Sequence, residues 1–244
     1  DFEPYVWVST DFGASFKAIT NGLKGEVART LTEDTKNADV LYVGTETGIF
    51  LTLDRGATWR RLKANFPTVR VDEMTIHPRD NALLVATHGR AIWVLDHLEP
   101  IQEYRAAMAA NTAKLFTPGP ALQWKSKDDR NDEFWGHQFF TGENPPADAV
   151  IQMNIKVPLT NPMLRVSDAS GKMVRELRIA AQRNAAGIQT VCWDQRMEPI
   201  TPLAAGGPGG PGAGGPGGGG GGGSFGQGGA RPIPGYPVPL PAVG

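Results

Sequence analysis

The sequence predicts an all-β chain: two to three blades of a β-propeller, then an antiparallel β-sandwich interrupted by a disordered glycine-rich insertion. Three observations predict this. The first half repeats itself at a spacing of 42 to 43 residues, which is the length of a four-stranded propeller blade. Inside each period, short runs of Val, Ile, Leu, Thr and aromatics alternate with turns carrying Gly or Asp, and helical spacing is absent. Late in the chain, residues 206–229 hold 17 of the 31 glycines, a composition that cannot bury a core.

The repeat is read directly from aligned residues. Val8–Phe16 lies over Leu51–Trp59 at an offset of 43, keeping hydroxyl, acid, glycine, hydroxyl and aromatic in register. At an offset of 42, residues 41–54 lie over 83–96, which sets Ile49, Phe50 and Leu51 over Ala91, Ile92 and Trp93. The complete period predicts strands over 27–31, 40–45, 49–53 and 58–62. The next period predicts strands over 72–76, 83–87 and 91–95, and the preceding one over 6–9 and 15–19. A propeller closes with at least about four blades of roughly 40 residues each, whereas residues 1–97 hold about two and a half. The expectation is therefore a C-terminal piece of a longer protein, its missing blades supplied by the same longer chain or by another subunit, with an apolar blade face exposed when the piece stands alone.

The pattern S/T-x-D-x-G-x-S/T-W/F occupies Ser9–Phe16 and Thr52–Trp59. In it the chain resembles the Asp-box, or bacterial neuraminidase repeat (BNR), of sialidase-like and sortilin-like propellers. An Asp side chain can accept bonds from the N–H groups of its own tight turn while glycine supplies a positive φ. The resemblance implies structural roles for Ser9, Asp11, Gly13 and Phe16, and for Thr52, Asp54, Gly56 and Trp59, on the face opposite the ligand site. The segment Thr87–Asp96 looks like the one that closes the last blade in bacterial Asp-box proteins.

Candidate ligand-binding residues are His88 and Arg90, which flank Gly89 in the turn between strands two and three of the last period. Glu46 is the equivalent of His88 one period earlier, and Arg70 and Asp72 enter the same period from its first strand. Arginine beside histidine suits a carboxylate or an acidic sugar. The turn His77–Asn81 reads as structural.

Beyond Asp96, residues 98–148 read as a connector: one short helix over 101–111 on the outside of the ring, an edge strand at Leu115–Pro118, and a polar, aromatic-bearing loop over 125–142. Strand signals return at 150–157, 163–166, 173–177 and 188–193, with a hairpin turn at Ser167–Gly171. The segments LRVSDASGKMVRELR and AAGIQTVCWDQR resemble the Ig-like domain that comes after many Asp-box propellers and is also seen in the flagellar hook-capping protein. This implies an Ig-like sandwich over 149–203 with Trp193 in its core, a disordered insertion over 204–231, and a last strand within 232–244, where Pro237 and Pro239 confine the segment to an edge.

Function classes narrow by exclusion. With 24 basic and 25 acidic side chains and a formal net charge of −1, the chain lacks the positive excess that would hold a phosphate backbone, so nucleic acid is not an expected partner. No run of about 18 apolar residues is present, so no membrane span is expected. Cys192 is single; no cofactor is implied, and no metal, because His97 and His137 lie at no metal-ligand spacing. The predicted function is a non-catalytic ligand-binding or scaffolding propeller of the exported sortilin/BNR-like type, periplasmic or extracellular, taking a peptide or glycan on its loop face. The alternative is a glycoside hydrolase whose catalytic residues lie mostly in upstream blades, for which Glu46 and Asp72 are nominal acids.

Overall fold

The computed structural model describes residues 3–63, 65–122 and 147–198. The tract 204–231, the segment 232–244 and the loop 125–142 with His137 lie outside these residues. Among the described residues the fold is all-β apart from two short α-helices and a 3-10 turn at Ala181–Arg183. Strands β1 (Trp7–Val8) and β2 (Lys17–Ala18) pair as a first sheet. Strands β3 (Ala28–Glu33), β4 (Leu41–Thr45), β5 (Ile49–Thr52) and β6 (Arg60–Arg61) form a second, meandering antiparallel sheet. Strands β7 (Val71–His77), β8 (Ala82–Thr87) and β9 (Ile92–Leu95) form a third. These match the predicted strands closely.

Apolar residues on both faces of the middle sheet stack the three together. Val43, Phe50 and Trp59 pack toward the first sheet with Val6, Ile19 and Leu23. Tyr42, Ile49 and Leu51 pack toward the third with Val71, Met74 and Val85. Strands β4 and β5 are consequently buried at every position, which is why they read as continuous apolar runs instead of alternating ones.

Strand β9 departs from the sequence alignment by one residue. Val43 pairs with Phe50, whereas its counterpart Val85 pairs with Trp93, and Gly44–Ile49 corresponds to Ala86–Ile92. The turn before β9 is one residue longer, so the offset there is 43, and a one-residue slip exchanges faces. Trp93 and Leu95 therefore pack inward, Trp93 edge-on to Phe66 with ring centroids 5.4 Å apart. Ile92 and Val94 stand where Ile49 and Leu51 are buried one sheet earlier, and they are exposed. At the other end of the stack Tyr5, Trp7 and Phe16 are exposed in the same sense.

The predicted single helix on the outside of the ring is instead two. Helix α1 (Glu99–Gln102) has all four residues buried, and α2 (Tyr104–Ala109) comes after a break at Glu103, where φ is −101°. Leu98 and Ile101 belong to the core between the second and third sheets. A buried polar knot fixes this placement. Gln102 Nε2 donates to both Asp34 carboxylate oxygens at 3.0 and 2.9 Å and to Asn81 Oδ1 at 2.9 Å. Asn81 Nδ2 donates to Glu99 Oε1 at 2.8 Å and Gln102 Oε1 at 3.0 Å. Asp34 and Asn81 occupy the β3–β4 and β7–β8 turns, so α1 clamps two sheets together at one end of their strands.

The second half forms two further sheets. Strands β10 (Ala113–Leu115), β11 (Ala149–Ile155) and β14 (Gly187–Trp193) make one, with β10 at an edge; β12 (Met163–Ser167) and β13 (Met173–Arg178) make the other. Met153, Ile155 and Val191 of the first meet Leu164, Leu177 and Ile179 of the second. Trp193, predicted in this core, is half-buried at the sheet end, its indole N–H donating to the Arg196 carbonyl at 2.9 Å.

Gln102→Ala removes the one amide donor that bonds both oxygens of the buried Asp34 carboxylate and leaves Asn81 half-satisfied. It should lower stability by about 3 kcal/mol, read as the fall in urea midpoint of dilute protein; a loss below about 1 kcal/mol would contradict the clamp.

Candidate functional site

The two ends of the stacked strands carry different chemistry. One end holds α1, the β3–β4 and β7–β8 turns, and the two Ser/Thr-Asp turns of the repeated motif. The other holds the β4–β5 and β8–β9 turns and the connections entering β3 and β7.

The repeated Asp turns, β1–β2 and β5–β6, are built bond for bond alike. Ser9 Oγ donates to Asp11 Oδ1 at 2.8 Å and accepts from Gly13 N at 2.7 Å; Asp11 accepts from Ser15 N at 2.9 Å and Ser15 Oγ at 2.6 Å. Thr52 Oγ1 donates to Asp54 Oδ1 at 2.6 Å and accepts from Gly56 N at 2.9 Å; Asp54 accepts from Thr58 N at 2.8 Å and Thr58 Oγ1 at 2.7 Å. Gly13 and Gly56 have φ of 89° and 83°. At Gly56 a Cβ would also lie 2.6 Å from Ile19 Cδ1, so glycine is needed there twice over.

The copies differ in how their closing aromatic is packed. Trp59 is 4 % exposed and its indole N–H donates to the Ile19 carbonyl at 2.6 Å, whereas Phe16 is 65 % exposed. The first sheet supplies Trp59 with its partners, and no described residue does so for Phe16. The Asp11 carboxyl is lowered to about 2, chiefly by the Ser15 hydroxyl with help from Ser15 N and Ser9. At Asp54 burial works upward but bonds from Thr52 and Thr58 outweigh it, so the carboxyl again sits below its ordinary value.

At the opposite end, Arg70, Asp72 and His88 contact one another, while Glu46 pairs with Arg29 one sheet earlier and Arg90 lies two residues beyond His88. His88 N donates to the Arg70 carbonyl at 2.9 Å, as Glu46 N does to the Val27 carbonyl at 3.2 Å. Both β3 and β7 carry an extra residue opposite the end of their partner strand: Arg29 in one, Asp72 in the other. The bulge turns each side chain toward the neighbouring turn. Arg29 meets Glu46 at 2.5 Å. Arg70 Nε donates to Asp72 Oδ1 at 2.7 Å, Arg70 Nη2 donates to His88 Nδ1 at 2.8 Å, and His88 Nδ1 lies 3.4 Å from Asp72 Oδ2.

Further along this end, Arg61 donates to the Thr47 carbonyl and reaches Thr68 Oγ1, while Thr45 and Thr47 hydroxyls donate to Glu26 at 2.7 Å. Arg29, Glu26 and Arg61 went unnoticed in the sequence; the usable signal was that Arg29 precedes Asp72 by the repeat length. The Arg90 carbonyl accepts from the Trp93 indole at 2.9 Å, while its exposed guanidinium makes no bond among the described residues.

The Arg70 hydrogen bond is the main reason the Asp72 carboxyl lies below the usual range, overcoming a desolvation that works upward, with His88 adding to it. Glu46 and Asp72 each hold a cation, Arg29 and Arg70 respectively, and for Asp72 that partner holds the carboxyl below its ordinary value. The surplus functionality is cationic, at Arg90 beside the Arg70–His88 pair.

Because Asp11 and Asp54 are lowered on folding, their contribution is present above the ordinary carboxylate range and is lost as pH falls through the folded values. Tryptophan emission should therefore show a transition between about pH 4 and about pH 2. Asp54→Asn, which removes the charge but keeps the shape, should shift or abolish that transition; an unchanged acid profile would refute it.

Residues 4–114, from the first sheet through α2 into β10, match the family model Sortilin-Vps10, described as sortilin, neurotensin receptor 3. No curated protein and no solved structure matches the chain. Among the described residues, no helix is long and apolar enough to cross a membrane. The stacked sheets and the family match together support a sortilin-like β-propeller for the first part of the chain.

Proposed function

We propose that this chain contributes to an exported, non-catalytic propeller, acting in the periplasm or at the cell surface, that binds an acidic group of a peptide or glycan on the face formed by the β4–β5 and β8–β9 turns. The observation that carries this reading is Arg90, whose guanidinium is unpaired among the described residues and two positions from His88, itself held by Arg70. A guanidinium not neutralised by a neighbour is suited to charge-assisted bonds with a carboxylate. The Ser/Thr-Asp turns, saturated by their own hydrogen bonds, act as structural Asp-boxes at the far end. The second unit is an Ig-like sandwich that props the propeller.

A glycoside hydrolase would require a carboxyl that keeps its proton near neutral pH. Asp72 is shifted the other way by Arg70, so it does not supply that acid.

Replacing His88 and Arg90 together by Ala should weaken capture on arrays of acidic peptides and uronate- or sialate-bearing glycans by about tenfold or more, a charge-assisted contact being worth roughly 1.5–3 kcal/mol. The double variant should keep its sheet content by circular dichroism. Undiminished capture by the folded variant would remove this site from consideration.

A further inference from the structure

A cleft of about 470 Å³ lies at the α1 end of the strands, away from His88 and Arg90, where the third sheet, α1 and the start of β11 meet. Its wall is aliphatic, from Pro120, Ala121, Leu122 and Val150. Its inner end is polar and buried: Asn81 and Glu99 are 5 % and 7 % exposed. The Glu99 carboxylate is anchored through one oxygen only. Asn81 Nδ2 donates to Oε1, and the Lys36 ammonium lies 3.8 Å from the same atom. Among the described residues, Oε2 accepts no hydrogen bond.

Among the described residues that line the cleft, Glu99 and Asp148 stand with Lys36, while Asp80 is paired with Arg79. Arg79 is committed to Asp80 by paired bonds of 2.7 and 2.8 Å, which leaves Lys36 as the cation beside Glu99 among the described lining residues. At 3.8 Å, and with its side chain 53 % exposed, Lys36 stands beyond hydrogen-bond range of Glu99 and compensates it incompletely. Pockets at such junctions, apolar with a few convergent polar groups, are usual ligand sites.

We propose that this cleft binds a primary alkylammonium group on an aliphatic stem. The ammonium would reach Glu99 Oε2, in place of Lys36, and the stem would lie on Leu122 and Val150. Asp148, at the mouth, would supply the second negative charge. The ligand chemistry is shared by free diamines and by lysine side chains of a peptide. It is independent of the anion-binding reading of the opposite face, and the substitutions below leave that face untouched.

The test is saturation-transfer NMR on the full chain with pentane-1,5-diamine as probe and pentanoate as the matched anion. Saturable transfer to the diamine and none to pentanoate is expected. Glu99→Gln keeps the acceptor for Asn81 but removes the charge, and should weaken the diamine about tenfold or more; Lys36→Met should tighten it. If Glu99→Gln loses its circular-dichroism spectrum, Asp148→Asn is read instead, again with weaker binding expected. Transfer to N-acetyl-lysine methylamide as well would identify lysine side chains as ligands, and its exclusion with the diamine still bound would identify free amines; either outcome upholds the site. Equal transfer to pentanoate, no transfer to either amine, or an affinity that Glu99→Gln and Asp148→Asn leave unchanged would overturn it.

Discussion

Two-faced apolar packing is the constraint on which the first half of this protein depends. A strand such as Leu41–Thr45, buried along its whole length, has no solvent face, so its sheet is stable only between two others. The direction of each side chain is then set by parity. Phe50 and Trp93 point toward the preceding sheet; Ile49, Leu51, Ile92 and Val94 point toward the next one. Where a next sheet is present these side chains are buried, and where the described residues supply none they are exposed. The same logic separates Trp59 from Phe16, which occupy equivalent places in matching turns and differ only in having a neighbour.

Polar chemistry is confined to the strand ends, and the two ends use it differently. At the α1 end, Asp34, Asn81 and Gln102 are buried and satisfy one another, and Asn81 also holds the buried Glu99 through one carboxylate oxygen. A carboxylate removed from water needs this much pairing to be tolerated, and the knot joins two turns to a helix that comes from outside the repeat. At the other end the charges are exposed, so individual pairs contribute little to stability. What they provide is orientation: bulges at Arg29 and Asp72 aim charged side chains at equivalent turns, Arg29 to Glu46 in one sheet and Asp72 toward the His88 ring in the next.

Much of this was legible in the sequence because propeller-like repeats write the same instructions more than once. Aligning Ser9–Phe16 with Thr52–Trp59 located both Asp turns and the aromatics after them. What alignment could not supply was the length of a single turn. The extra residue before β9 changes the offset from 42 to 43 and exchanges the faces of Ile92 and Trp93, although both assignments look equally apolar in the sequence. The helix was misplaced for a related reason. Alanine content at 101–111 suggests an outer helix, but Gln102 bonds Asp34 and Asn81, Leu98 N donates to the Asn81 carbonyl, and Ile101 packs in the core between two sheets, contacts between residues far apart in sequence. The candidate site was half visible: Arg70, Asp72, His88 and Arg90 stand close together in the chain, whereas Arg29 becomes meaningful only once its bulge is seen to match that of Asp72.

The direct test of this account is the mass of the purified chain in solution, by sedimentation or light scattering across a dilution series. Exposed Trp7 and Phe16 at one end of the stack, and Ile92 and Val94 at the other, predict concentration-dependent association well above the 26.1 kDa of one chain, relieved when Ile92 and Val94 are replaced by Thr. A monodisperse 26.1 kDa species that melts cooperatively at every concentration would contradict it, since the sheets would then be complete without a neighbour on either side.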